Sequence, residues 1–336
     1  MFYKKWQEYW GISYRISFGI NTSLKSNNID GAIAAPEKQD RDLQELFVLP
    51  SKHYVKHNLD DPRGFTFEFE GQQIASAHGN TTEQQILSLY NLSKEEVAEL
   101  SDPRCVVQIE AGWQGKVVPV FFGTVKRIKT TGLPPDLRYD ISLSSAGMQF
   151  NNTLLNVRYA EGLSEADVVR DLIKKGGLNA GTLVINHLEQ KKLRSGGRGY
   201  REKVDTALNR TLDKHDLIYS VVNGKVNIFP KLWQPIHNDS TLTRTVYDIP
   251  VEAIKQITDV TENEMVTEDM GEATARTLTL NMLYENINIG DFITIPNSDY
   301  TKEFTGSWIV TGRRTILQSV GAWDIVLQVE EPIFKN

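Results

Sequence analysis

Along most of this chain apolar and polar residues alternate with a period of two, the mark of strands with one buried face and one solvated face. Phe65, Phe67 and Phe69 alternate with Thr66, Glu68 and Glu70, and Cys105, Val107 and Ile109 alternate with Val106, Gln108 and Glu110. A third run, Val117 to Ile128, passes through Phe121-Phe122-Gly123-Thr124-Val125. Leu137, Tyr139, Ile141 and Leu143 then close the series against Arg138, Asp140 and Ser142. Ser93 and Glu96 have the spacing of a capping box, which predicts a short helix carrying Val97 and Leu100 and entered through Leu89-Tyr90-Asn91-Leu92. Tyr14 to Ile20 predicts an earlier strand. Between it and the meander lies a long polar segment, Asn21 to about Asp61, with a short helix predicted over Lys38 to Phe47. An insertion of this length in a compact domain is expected to touch a partner or to pack as an arm.

The period changes after Gly147. Ser164 and Asp167 have the spacing of a second capping box, and Val168, Val169, Leu172 and Ile173 form a helical apolar stripe ending near Gly176-Gly177. Another helix is predicted over Arg201 to Lys214, with Val204, Leu208 and Leu212 on one side. A hairpin follows, Ile218 to Val222 and Lys225 to Phe229, joined by Asn223-Gly224, a pair suited to the positive φ angles of a type I′ turn. The last hundred residues return to strands at Leu278 and Leu280, Phe292 to Ile295, Trp308 to Val310, and Trp323 to Val329. Tyr139-Asp140-Ile141-Ser142-Leu143 is echoed by Trp323-Asp324-Ile325-Val326-Leu327, each after a strand with a basic pair, Lys126-Arg127 and Arg313-Arg314. The expected fold is mainly β with an α+β insert: a β-barrel over 1–150 containing the 21–61 insertion, an α+β region over 151–240, and a related β-barrel over 241–336.

The order of elements from Phe65 to Gly147 resembles the first tube domain of the baseplate hub proteins of tailed phages and related contractile machines. The residues that carry the likeness are Leu89–Ser93, then Ile109–Trp113 with its Glu110-Ala111-Gly112-Trp113, then Phe121–Val125. The helix over Ser164–Gly177, the Asn223-Gly224 hairpin and the Asn288-Ile289-Gly290-Asp291 turn fall in the family's order. The resemblance implies two tube-like β-barrel domains flanking a middle α+β region, in a trimer whose six similar domains form a ring. Such a ring adapts a six-fold tail tube to a three-fold central spike and leaves a channel for DNA. The implied partners are two further copies of the chain, the central spike protein, the tail tube or distal tail protein, baseplate wedge components and the tape-measure protein. The implied location is the virion's tail baseplate, assembled in the host cytoplasm. Two rivals stand beside it: a tail-associated cell-wall hydrolase with β-rich binding domains, and a hexameric distal-tail or tube-terminator protein.

Composition narrows the chemistry. The 336 residues, 40% hydrophobic and 24% charged, suffice for two or three domains with buried cores. A net charge of −6, from 37 basic and 43 acidic residues, argues against general or sequence-specific nucleic-acid binding. The amino terminus lacks the apolar core of a signal peptide, and no uncharged run reaches the roughly 20 residues that span a bilayer, so a soluble protein without membrane insertion is expected. The single cysteine, Cys105, excludes an internal disulfide framework. It shares a strand face with Val107 and Ile109, which predicts a buried, inert thiol rather than a nucleophile.

His53 and His57 would share a helical face, the geometry of a metal pair, but no intervening Glu follows the metalloprotease pattern. Lys191, Lys192, Arg194, Arg198, Arg201 and Lys203 surround Ser195-Gly196-Gly197-Arg198-Gly199 without the Lys-Ser or Lys-Thr ending of a phosphate cradle. That cluster reads as a solvated loop, or as a dock for an acidic surface. Asp259, Glu262, Glu264, Glu268, Asp269 and Glu272 lack calcium-loop spacing and read as a solvated linker into the second barrel, or as a channel rim. No carboxylate pair is marked as a glycosidase dyad. No catalytic residue, cofactor site or metal site is therefore assigned, and the expected role is structural.

Overall fold

The structure is a computed structural model describing residues 11–20, 54–58, 66–74, 82–113, 116–133, 135–145, 150, 153–183, 185–222, 224–230, 246–267 and 271–331. The first part contains β1 (Ile12–Ile20), β2 (Tyr54–Asn58), β3 (Phe67–Ile74), β4 (Thr82–Tyr90), α1 (Lys94–Leu100), β5 (Cys105–Trp113), β6 (Lys116–Leu133) and β7 (Asp136–Ser144). A middle part follows, with β8 (Val157–Tyr159), α2 (Glu165–Lys175), β9 (Asn179–Leu183), β10 (Arg198–Tyr200), α3 (Val204–Asp213), β11 (Leu217–Val222) and β12 (Lys225–Pro230). The last part holds β13 (Val246–Asp248), β14 (Ile254–Thr267), β15 (Gly271–Leu283), β16 (Phe292–Ile295), β17 (Gly306–Gln318) and β18 (Trp323–Glu330). The architecture is mainly β with a few helices, as the alternation requires.

Local chemistry sets the element ends. Both halves of the predicted capping box at α1 form: Glu96 N–H donates to Ser93 Oγ at 3.1 Å, and Ser93 N–H to Glu96 Oε2 at 2.7 Å. At α2 the Ser164 hydroxyl accepts from Asp167 N–H at 3.1 Å and donates to Asp167 Oδ2 at 2.5 Å, so the aspartate caps the serine side chain rather than returning to its backbone. Gly112 explains itself by close approach: a Cβ there would meet the Lys116 carbonyl oxygen at 1.9 Å across the β5–β6 hairpin. Asn91 adopts a left-handed φ of 54° and ties β4 to β7, its N–H on Leu137 O and its Oδ1 accepting from Leu137 N–H.

Strands of the first and last parts share one 13-stranded sheet ordered β14-β15-β18-β17-β3-β4-β7-β6-β5-β1-β2, with β16 and β13 branching from β17. The path splits into two units of six strands. In the first the spatial order is β3-β4-β7-β6-β5-β1, and in the second β14-β15-β18-β17-β16-β13. Numbered along the chain within each unit, both orders read two-three-six-five-four-one. The long fifth strand of each unit bulges at a matching place against the sixth, between Val125 and Arg127 in β6 and between Val310 and Gly312 in β17. These bulges align Leu143 with Val329 and Ile141 with Leu327, two residues away from the alignment that the Asp-Ile-x-Leu echo suggests. The units differ in their first strand: β1 runs antiparallel to β5 over nine residues, whereas the three-residue β13 runs parallel to β16.

What departs from expectation is closure. No barrel closes among the described strands: the path is open, with β14 and β2 as its ends. The two units are also not separate bodies, because β17 pairs with β3 from Gly312–Ile74 to Gln318–Glu68, joining them edge to edge. Their buried side chains form one core, running from Tyr14, Phe67 and Ile109 through to Leu280, Trp323 and Leu327. The middle part has its own core, in which Val169 and Leu172 of α2 meet Leu208 of α3 and Val226 of β12. There β11 and β12 form the predicted hairpin, with Gly224 at φ 73° and Asn223 outside the described residues. Of the 21–61 insertion, the described piece is β2, which pairs with β1 and covers part of its outer edge; the Lys38–Phe47 helix falls outside the described residues.

Candidate assembly surface

For a chain whose expected work is joining, the site is a set of joints, edges and charged surfaces. The joint between the two units is aromatic on one level. Trp323 of β18 sits 3% exposed among Tyr14, Phe67, Trp113 and Tyr284, with ring centroids 6.1, 6.3, 6.3 and 6.4 Å away. Tyr14 and Phe67 touch at 4.2 Å, and Trp113 Nε1 donates to the Tyr284 carbonyl at 2.9 Å, crossing from one unit to the other. The tryptophan of the Glu-Ala-Gly-Trp motif is therefore part of the clasp between units.

On a second level the joint is polar. Arg313 of β17, 8% exposed, donates to Gln73 Oε1 at 2.9 Å, to the Ile287 carbonyl at 3.2 Å and to Asn288 Oδ1 at 2.7 Å. Gln73 of β3, itself 2% exposed, passes the connection on, its Nε2 donating to Val221 O in β11 at 3.2 Å. One buried cation thus ties the first unit, the turn before β16 and the middle part together. Apolar contacts support it: Ile218 and Phe229 pack with Ile289, Phe292 and Ile309. In the same turn, Asn288 N–H donates to Asp291 Oδ2 at 2.8 Å, and burial pushes the Asp291 carboxyl above its ordinary range against the pull of that bond and of Arg313.

The edges are the second component. β14 pairs only with β15 among the described strands and carries Asp259, Glu262 and Glu264. The predicted linker is thus a long β-hairpin, because Asp259, Glu262 and Glu264 lie on β14 and Glu272 on β15, while Glu268 and Asp269 fall outside the described residues. Alternation announced it only at Leu278 and Leu280 of β15 and gave no sign that the acidic run is a strand. In β6, residues beyond the bulge are mostly solvent-facing, and Leu133 is 81% exposed.

The basic segment is the third. Only part of it is loop: Arg198–Tyr200 forms β10 and pairs with β8. Arg198 donates to Glu165 Oε1 at 2.8 Å, Glu165 Oε2 also meets His215 Nε2, and Lys191 Nζ lies 3.1 Å from His215 Nδ1. Glu165 is only 8% exposed, and these partners hold its carboxyl below the ordinary range although burial alone would raise it. With Lys192 and Arg194 they line a cavity of about 400 Å³. The Glu165–His215 contact is braced from both sides, by Arg198 at the carboxylate and by Lys191 at the imidazole.

The other sequence candidates scatter. Cys105 is fully buried, and its burial pushes the thiol up to about 12, far from a reactive thiolate. His57 lies on β2, a strand and not the helix that a metal pair would need, while His53, His78 and His237 fall outside the described residues. His187 lies 6.3 Å from His215, ring to ring, and burial and Lys191 lower its pKa. Among the described residues no group of three or more His, Cys, Asp or Glu is placed to hold a metal ion, and no helix is long and apolar enough to cross a membrane. Sequence reasoning met Arg313 only as half of the basic pair Arg313-Arg314 and missed Gln73, and nothing in the sequence joined the two.

No protein-family model matches the sequence, and no curated protein matches it. Solved structures match in shape. A tail protein from Neisseria meningitidis MC58 aligns over 95% of this chain and 96% of its own, with a TM-score of 0.55 at 10% identity. The chain has the fold of phage tail proteins. The 43 kDa tail protein of prophage MuSo2 from Shewanella oneidensis shares this tail-protein fold over 82% of this chain and 94% of its own, TM-score 0.55, 9% identity. An E. coli component of the type VI secretion system, itself similar to the T4 tail proteins gp27 and gp5, matches over 80% and 73%, TM-score 0.52, 13% identity. The tail-protein fold is thus common to phage tails and secretion machines, as the resemblance of the tube-domain residues implies.

Proposed function

We propose that the chain is the structural hub of a tail baseplate and has no turnover of its own. Three copies form a ring in which each contributes both six-strand units to the wall. The observation that carries this reading is the repeated strand order inside one chain, since two equivalent units per copy let three copies present six similar faces. Six faces suit a six-fold tail tube or distal tail protein, and the three-fold relation between chains suits a central spike. The middle part and the β14–β15 hairpin supply surfaces for wedge components and the tape-measure protein. The ring leaves a channel through which DNA leaves the virion, and the net charge of −6 disfavours retention of phosphates. The duplicated unit weighs against the hexameric distal-tail alternative, in which one unit per chain would suffice. Copy number is the test. Quantitative peptide measurement on purified particles is expected to give three copies of this chain per tail; six would favour the distal-tail alternative and end the hub reading.

A further inference from the structure

We infer that the cavity in the middle part is a docking site for an acidic protein segment, entered by two or more neighbouring carboxylates. The inference deepens the hub reading and rests on it for the partner being a protein. Four cationic side chains, Lys191, Lys192, Arg194 and Arg198, line this space of about 400 Å³ against one carboxylate, Glu165. That carboxylate is already committed: Arg198 donates to its Oε1, and His215 Nε2 meets its Oε2. The imidazole adds no charge, because the Lys191 ammonium can only donate and lies 3.1 Å from His215 Nδ1. Nδ1 therefore accepts, and Nε2 carries the hydrogen that goes to Glu165. The lining keeps a net charge of three positive. Lys192 and Arg194 have no hydrogen-bonded carboxylate among the described residues, and the acidic neighbours are held elsewhere. Glu189 pairs with Arg170 at 2.8 Å, Asp167 bonds Ser164 and Arg170, and Glu161 accepts from Gly196 N–H at 3.2 Å.

The backbone that carries these cations is tied down rather than loose. Leu193 N–H donates to Leu163 O at 2.9 Å and Glu165 N–H to Lys191 O at 2.9 Å, which pins 191–193 across the start of α2. Leu193 is buried between the exposed Lys192 and Arg194. Gly197 N–H then closes a turn on Arg194 O at 3.1 Å, so Arg194 and Arg198 flank a fixed corner. Gly197 has φ 67°, and a Cβ there would meet Tyr159 O at 2.0 Å, so the corner packs tightly on β8. The Arg158 guanidinium also holds it, donating to Gly196 O at 3.2 Å. Size and charge select the ligand. The volume lies within the range of about 300–1,000 Å³ that encloses a compact ligand, and a single carboxylate would balance only one of the three charges. Guanidinium and ammonium groups side by side suit adjacent Asp or Glu side chains. A nucleic-acid strand needs a basic track running beyond the cavity, which a chain of net charge −6 disfavours.

The test measures fluorescence anisotropy of a labelled oligoglutamate peptide with the purified full chain. Saturable binding is expected, and none for an oligoglutamine peptide of the same length. Lys192→Gln together with Arg194→Gln is expected to weaken it by about tenfold or more. Lys174→Gln with Lys225→Gln removes the same charge from exposed positions outside the cavity and is expected to change affinity by less than about twofold. A second arm needs no variant: on the parent chain, acylation of Lys192 is expected to fall when the peptide is added, while that of Lys174 does not. Absence of saturable binding, equal weakening by the two double variants, or a Lys192 that the peptide leaves unprotected overturns the site. Displacement of the peptide by inorganic phosphate or single-stranded DNA at lower concentration than by unlabelled peptide overturns the acidic-protein assignment. Peptide binding in a chain present at six copies per tail would keep the site and end the hub reading, so the two fail separately.

Discussion

Replacing Arg313 by Ala is expected to destabilise the fold by about 3–5 kcal/mol, the scale set by losing a buried charge's partners while leaving its acceptors dry. The side chain makes hydrogen bonds to Gln73, to the Ile287 carbonyl and to Asn288, and water cannot replace them at 8% exposure. The loss also has an expected location. Gln73 would lose its Oε1 donor while its amide still holds Val221 O, so the contact between the sheet and the middle part weakens first. Arg313→Lys keeps the charge but cannot serve three acceptors in a fixed fork, and is expected to recover less than half of the loss. Urea unfolding measures the total, and amide exchange in Leu217–Val222 reports the loosening. Stability within about 0.5 kcal/mol of the parent, the range of an unremarkable surface change, would remove Arg313 from its place as the three-way tie.

Trp323→Ala is expected to cost a similar ~3–5 kcal/mol, here through a cavity at the centre of the shared core. Four aromatic rings from both units surround it, so amide exchange should rise in β1 and in β15 together. Trp323→Phe is the informative companion. The indole Nε1 finds no hydrogen-bond partner among the described residues, so phenylalanine loses volume but also sheds a dry donor, and about 1–2 kcal/mol is expected. Exchange that rises in the second unit alone would show that the two units do not share one core.

The parts of this fold that announced themselves are those in which one face is dry and the other wet. β3, β7 and β18 follow the alternation closely, and the α1 cap and the β11–β12 turn carry their chemistry in adjacent letters. Strand β4 was hidden because buried polar residues stand on both of its faces, Gln85 in line with Leu87 and Leu89 and Ser88 on the opposite side, where its Oγ donates to Asp140 Oδ1 at 2.7 Å. Strand β14 was hidden because Ile254, Ile257 and Val260 recur at every third position rather than every second. Arg313 was invisible for a further reason: its three acceptors are distant in sequence, and the topology alone brings them together. The duplicated unit was glimpsed in a five-residue echo whose true alignment, fixed by the bulges, is shifted by two.

The measurement that bears most directly on the account is an image of the assembled tail tip at a resolution that separates strands. The expected image is a ring wall of six similar six-strand units, alternately the first and second unit of this chain, with the two units of each chain joined through β17 and β3. A wall built from one unit of each of six chains, with the other unit lying outside the ring, would contradict it.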